Sequence, residues 1–254
     1  MTGDFQEAIK LSGEVLAIRG RIFPSTMTRV TLRAVLEGGE VVEGETKISH
    51  SRRRIKRVRL VPSNCRPAAQ TLEAIAQADA ITLGPGSLYT SLIPNLLVRG
   101  IPQALADSRA AKIYICNLMT QPGETTHFSA ADHLRAIHEH CGRRIFNYVL
   151  VNNAPIPPLA QKRYRAQRSE LVAVCKEELE QLGATVIEDN FVAEKLPGPA
   201  TARKIRHNSE KLASAILALI VSHQYWGSAP LQSSSPQPEL PSQTGVDSLK
   251  QDGG

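Results

Sequence analysis

Aromatic residues are scarce in this 254-residue chain, only 4% of the total, with five Tyr, five Phe and one Trp. A core of this size must then be built from aliphatic side chains. Cysteine is almost as rare. Cys65, Cys116, Cys141 and Cys175 are widely spaced and form no C-x-x-C pair, which excludes a disulfide framework and argues against a zinc site. Cys116 and Cys175 lie in apolar runs and read as reduced core thiols of a cytoplasmic protein. The N-terminus shows no basic, apolar and cleavage regions of a signal peptide. The longest apolar run, near 212–221, is too short and interrupted to span a bilayer. These absences predict a cytoplasmic protein with no membrane partner.

Positive charge is in excess: 30 Lys and Arg oppose 24 Asp and Glu, for a net charge of +6. In the tail, Glu239, Asp247 and Asp252 outweigh Lys250, so the rest of the chain is more basic than the whole. A basic body attracts anions, from nucleic acid to phosphorylated metabolites. The densest run is Arg52-Arg53-Arg54-Ile55-Lys56-Arg57-Val58-Arg59. No aromatic residue interleaves there to stack on bases, so it reads as a strand alternating Val58 and Leu60 with exposed cations. Nucleic acid is not an expected partner.

Period-two alternation at 30–36 and 41–46, split by Glu37-Gly38-Gly39-Glu40, predicts a hairpin, and 55–61 a third strand. Together they make a small β excursion over about 19–62. An amphipathic helix is expected at 3–16. From residue 67 onward helices and strands alternate: helix 67–77, strand 79–83, helices across 87–108, strand 112–116, helix 129–141 and strand 145–151. A helix near 157–167, a strand at 171–174, a helix at 175–182, a strand at 184–188 and a helix at 208–222 follow. This order predicts an α/β fold, a three-layer Rossmann-like parallel sheet with the β-hairpin subdomain attached, over 1–225. Residues 226–254 are rich in Ser, Pro and Gln. They bury too little to offset their ordering entropy and read as a disordered tail.

The strand at 79–83 runs into Gly84-Pro85-Gly86-Ser87, followed by Tyr89, Thr90 and Ser91. Glycine lets the backbone turn sharply and approach an anion, and a following helix N-terminus favours phosphate. The same pattern also serves as a plain tight connection. It is neither the three-glycine dinucleotide fingerprint nor a P-loop, since no Lys follows. A second polar loop, Asn117 to Thr126, follows the strand at 112–116 and contains Thr120, Gln121 and Glu124. In a parallel sheet, loops at the carboxyl ends of strands line one crevice.

LGPGSLYTSLIPNLLVRGI, KIYICNLMTQPGETTHFSAADHLRAIHEHCG and KIRHNSEKLASAIL closely resemble the gluconeogenesis-factor branch of the family that includes 2-phospho-L-lactate transferase. TGDFQEAIKLSGEVLAIRGRIFPST is similar to the middle of that family, and the resemblance covers residues 2 to about 221. Family members begin with a GGGTG loop, then a DDGGSSGR stretch and a GHSxGN motif. This chain has none of the three, and the expectation is that the family's N-terminal third is missing, through a truncated gene model.

Gly84, Gly86, Ser87, Tyr89, Thr90, Ser91, Asn117, Thr120, Gln121 and Glu124 are the loop candidates for ligand binding. Tyr164, in a basic helix, can stack on a base or pack on the sheet. Arg206 precedes the last helix and can contact a diphosphate, while Asn208 or Ser209 is the natural N-cap. His133, His138 and His140 lack the i, i+4 geometry of a metal site and read as solvated surface histidines. No metal site and no catalytic nucleophile can be assigned.

What the resemblance implies is a factor that binds a UDP-sugar or another nucleotide diphosphate and supports cell shape during gluconeogenic growth. It is read as a binding or regulatory protein rather than an enzyme, with homo-oligomerisation open. The alternative is a transferase resembling 2-phospho-L-lactate transferase, acting on a nucleotide diphosphate donor. Magnesium belongs to that alternative alone, and no other cofactor is implied.

Overall fold

The computed structural model describes residues 20–193 and 204–226. The helix expected at 3–16 lies outside them, as does the tail expected at 226–254, apart from Trp226.

Three strands form an antiparallel sheet of order β2-β1-β3: β1 (Thr31–Leu36), β2 (Val41–Glu43) and β3 (Ile55–Val61). Gly38 and Gly39 take positive φ in the β1–β2 turn, as that tight reversal demands. β2 is shorter than expected. The chain leaves it at Gly44 and forms a short helix, α1 (Glu45–His50), which buries Ile48. In β3, Ile55, Val58 and Leu60 are buried while Lys56, Arg57 and Arg59 face solvent, so the basic run is the wet face of a strand. Arg53 pairs with Glu40 across the hairpin.

The second sheet is parallel, with order β4-β5-β6-β7. Its strands are β4 (Ala80–Leu83), β5 (Ala111–Ile115), β6 (Tyr148–Asn152) and β7 (Thr185–Asp189). Connecting helices are α2 (Ala69–Gln77) before β4, α3 (Ile93–Leu96) and α4 (Ile101–Asp107) before β5, and α5 (Ala130–Cys141) before β6. α6 (Pro158–Ala166) and α7 (Lys176–Gln181) precede β7, and α8 (Ser209–Trp226) ends the described chain. All five residues of β5 are buried, as a strand covered on both faces requires. Ile113 and Ile115 pack with Leu212 and Leu219 of α8 on one face. Tyr114 packs with Leu134 and Ile137 of α5 and Leu179 of α7 on the other. The three layers are therefore present, and the core is mostly aliphatic around the buried rings of Tyr114, Phe146 and Phe191.

Two expected elements take other forms. Residues 171–174 make no strand. Val172 N–H donates to Leu118 O, and Ala173 O accepts from Ala130 N–H, so a loop and the start of α5 rather than a sheet edge satisfy this backbone. The helix expected from 87 begins as a wide turn at Leu88–Leu92, in which Leu92 N–H reaches back to Ser87 O. Pro94 follows and cannot donate.

The three helix α5 histidines correct the surface expectation. His133 is fully buried, its Nδ1–H donates to Ser129 O, and Nε2 has no partner among the described residues. His140 donates from Nδ1 to Ala136 O and accepts from Val58 N–H at Nε2. Burial lowers all three proton affinities, with His138 pushed down to about 4, where Arg144 adds to the effect. The native state thus binds protons less readily than the unfolded chain. Their stabilisation is present above the ordinary histidine pKa and is lost as pH falls through the lowered values. Thermal unfolding followed from pH 7.5 to pH 4.5 should show a falling Tm, and His138→Gln should flatten that slope. At neutral pH, Ser129→Ala should cost about 1 kcal/mol in chemical denaturation, because Ser129 and Asp132 form a reciprocal capping box at the start of α5.

Candidate functional site

Because β4 and β5 are adjacent and parallel, the loops after them emerge side by side. Gly84 has φ +94°, and a Cβ there would lie 2.7 Å from Ile115 O. A side chain at this position would push the first loop off the end of β5. Asn117 then ties the loops together, its Nδ2 donating to Gly86 O at 2.9 Å and its Oδ1 accepting from Gly86 N–H at 3.3 Å. Gln121 Nε2 donates to Ser87 Oγ at 2.9 Å, while Gln121 Oε1 is buried with no partner among the described residues.

Glu124 sits deeper, only 4% exposed. Its carboxylate accepts from Thr90 Oγ1 at 2.9 Å and from Tyr89 N–H at 3.3 Å. Burial raises its pKa, against the opposing pull of those two donors. The carboxylate thus fixes the turn after the glycine loop to the second loop. Among the described residues, no group of three or more His, Cys, Asp or Glu comes together to hold a metal. Glu124 is the one acidic side chain of the loop at 117–126, too few for a protein-built magnesium cage, and a metal there would be held largely by ligand phosphates.

Other candidates face elsewhere or do a second job. Thr120 is buried and its Oγ1 accepts from Glu170 N–H. The Tyr89 ring packs edge-on against Phe128 and His140, and burial, with the Glu139 carboxylate, pushes its phenol up to about 12. Ser91 is exposed. The Tyr164 hydroxyl accepts from Ile205 N–H at 2.9 Å, so this phenol anchors the segment just before Arg206. Arg206 is exposed, and its carbonyl accepts from Ala193 N–H. Asn208 Oδ1 caps α8 by accepting from Lys211 N–H.

His207 is the residue that sequence reasoning missed. Its Nε2 lies 3.1 Å from Cys116 O, joining the Arg206 segment to the end of β5, where the second loop begins. Burial lowers its pKa, against the opposing pull of the Cys116 carbonyl. Nothing in the local pattern marks it, since a His before a helix cap has no signature. The strand-end edge thus gathers the loop at 84–91, the loop at 117–126 and the segment at 205–208.

The family model for 2-phospho-L-lactate transferase CofD matches residues 1–192. A protein of Halalkalibacterium halodurans named gluconeogenesis factor is 43% identical over 217 residues, which cover 85% of this chain and 66% of that protein. One of the same name in Bacillus subtilis is 41% identical over 220 residues, covering 87% of this chain and 68% of its own length. The chain spans from about half to about two thirds of the length of the curated relatives it matches. A crystal structure of a UPF0052 family protein from Bacillus halodurans superimposes with a TM-score of 0.78 at 43% identity, over 85% of this chain and 67% of that one. On the extent of the model match and the identity to these relatives, the chain belongs to the 2-phospho-L-lactate transferase CofD family.

Proposed function

We propose that this chain is a gluconeogenesis factor: a cytoplasmic, nucleotide-sugar-binding regulator that supports cell shape during gluconeogenic growth. The observation that carries the reading is the rim built from two strand-end loops fastened by Asn117–Gly86, Gln121–Ser87 and Glu124–Thr90. A rim held by its own hydrogen bonds is preorganised, so little ordering cost falls on binding. A diphosphate at the first loop would place a sugar or base near Gln121, and the exposed Arg206 side chain would supply the charge to meet it. Gln121 Oε1 is buried and unpartnered, so a sugar hydroxyl or uracil N–H would reach it once the amide turns toward the ligand. The names of relatives at 41–43% identity support the regulatory role. No helix among the described residues is long and apolar enough to cross a membrane.

A second reading is favoured by the family model's name: a transferase that moves a phospholactyl-type group from a nucleotide diphosphate donor. Such chemistry requires cations or a metal to stabilise the transferring phosphoryl group.

Calorimetry with UDP-N-acetylglucosamine, ATP and a deazaflavin precursor separates the two. Preferential binding of the UDP-sugar, with no turnover, is expected; turnover of the deazaflavin or a preference for ATP would reverse the assignment. Arg206→Ala should weaken UDP-sugar binding by about 1.5–3 kcal/mol, the worth of a hydrogen bond to a charged group. It should leave Tm unchanged, since the side chain is exposed. Asn117→Ala should weaken binding and lower stability together, by about 1–3 kcal/mol for the unmade bonds. Wild-type affinity in both variants would move the site away from this edge.

A further inference from the structure

A cleft of about 380 Å³ opens on the far side of Tyr89, between the β1–β3 sheet and α5. It shares only Tyr89 with the loop candidates above. Its floor is aromatic, formed by Tyr89 and Phe128. One wall, from the β1–β2 turn, β3 and the residue before it, carries Glu37, Arg54 and Lys56; the other, from α5, carries Asp132, Arg135 and Glu139. The walls are stitched together at their base by the Val58 N–H to His140 Nε2 hydrogen bond.

What matters is which of these charges are already neutralised. Arg135 lies between Asp132 and Glu178 and pairs with both, so the Asp132 carboxylate is spoken for. Arg54 spreads its guanidinium over the Phe128 ring, 5.4 Å from the centroid, and has no carboxylate partner among the described residues. Neither Lys56 nor Glu139 forms an ion pair among them. With Glu37 beside Arg54 and Lys56, one wall keeps two unpaired cations against one carboxylate, a net positive charge, and the other keeps the unpaired carboxylate of Glu139. Tyr89 stays protonated on its floor, a neutral donor, with its phenol pushed up to about 12.

A purely anionic ligand would meet Arg54 and Lys56 favourably but would face Glu139. A purely cationic one would have the reverse problem. A molecule carrying both charges a few ångströms apart satisfies both walls, and the volume is at the small end of ligand sites. We propose that this cleft binds a zwitterionic metabolite of the free α-amino acid class, its carboxylate on Arg54 and Lys56 and its ammonium on Glu139. The side chain of such a ligand would lie on the Tyr89 and Phe128 rings. Charge-assisted hydrogen bonds at both ends supply the selectivity. The site is distinct from the nucleotide rim, because Tyr89 is the one loop candidate that also lines the cleft, and its backbone N–H is already taken by Glu124.

The test is a thermal-shift screen of the full chain against the proteinogenic L-amino acids at millimolar concentration, followed by calorimetry on any that stabilise it. The expected result is binding of one or a few free amino acids, with no binding of their N-acetyl or methyl-ester forms, which each carry one charge fewer. Lys56→Gln and Glu139→Gln should each weaken that affinity at least about tenfold. Both positions are exposed, so unchanged melting of the unliganded variants checks that the fold is intact. UDP-N-acetylglucosamine binding, measured on the same two variants, should not change. The proposal is overturned by absence of any shift across the panel, by equal binding of the singly charged forms, or by full affinity in both variants. Competition between the amino acid and the nucleotide-sugar would also overturn it, by merging the cleft with the rim, whereas failure of nucleotide binding alone would leave the amino-acid result standing.

Discussion

Parallel pairing of β4 with β5 is the constraint on which the loop edge depends. Parallel strands release their following loops at the same edge, and adjacent ones release them within reach of each other. Here that reach is short enough for a single amide, Asn117, to satisfy both backbone groups of Gly86. The glycine loop is thereby shaped by its neighbour as much as by its own residues. β5 can hold this central place because all five of its residues are buried between α8 on one face and α5 and α7 on the other. Breaking the β4–β5 ladder would separate Asn117 from Gly86 and Glu124 from Thr90 at once.

Most of the architecture was legible from periodicity. β3 occupies the span expected for it, and β5, β6 and β7 each match an expected strand to within a few residues. Alternation of helices and strands sufficed for the parallel sheet. What failed depended on partners rather than on pattern. Residues 171–174 have the apolar, β-branched character of a strand, yet β7 already pairs with β6, and backbone at Leu118 and at Ala130, the first residue of α5, takes their hydrogen bonds instead. His133 was misjudged because its type was weighed and its position was not. Ala130, His133, Leu134 and Ile137 follow the i, i+3, i+4, i+7 stripe of a buried helix face.

The candidate site was legible in part. Convergence of the two loops follows from β-α order alone. Which side chains face outward does not, because burial of Thr120 and the packing of Tyr89 against Phe128 and His140 are decided by elements distant in sequence. Tyr164 and Arg206 illustrate the same limit. Their association runs through the backbone of Ile205, and their link to β5 runs through His207. Hydrogen bonds of this kind leave no trace in composition or spacing.

Gly123 has a consequence that reaches beyond its own loop. A Cβ at this residue would lie 1.9 Å from Ser51 O, so the second loop and the chain leaving α1 meet backbone to backbone, with no side chain to cushion the contact. Side chains yield by changing rotamer; peptide planes do not. The small antiparallel sheet and the polar loop therefore meet in a seam with no room for a side chain, and any residue but glycine at position 123 would have to part the two backbones.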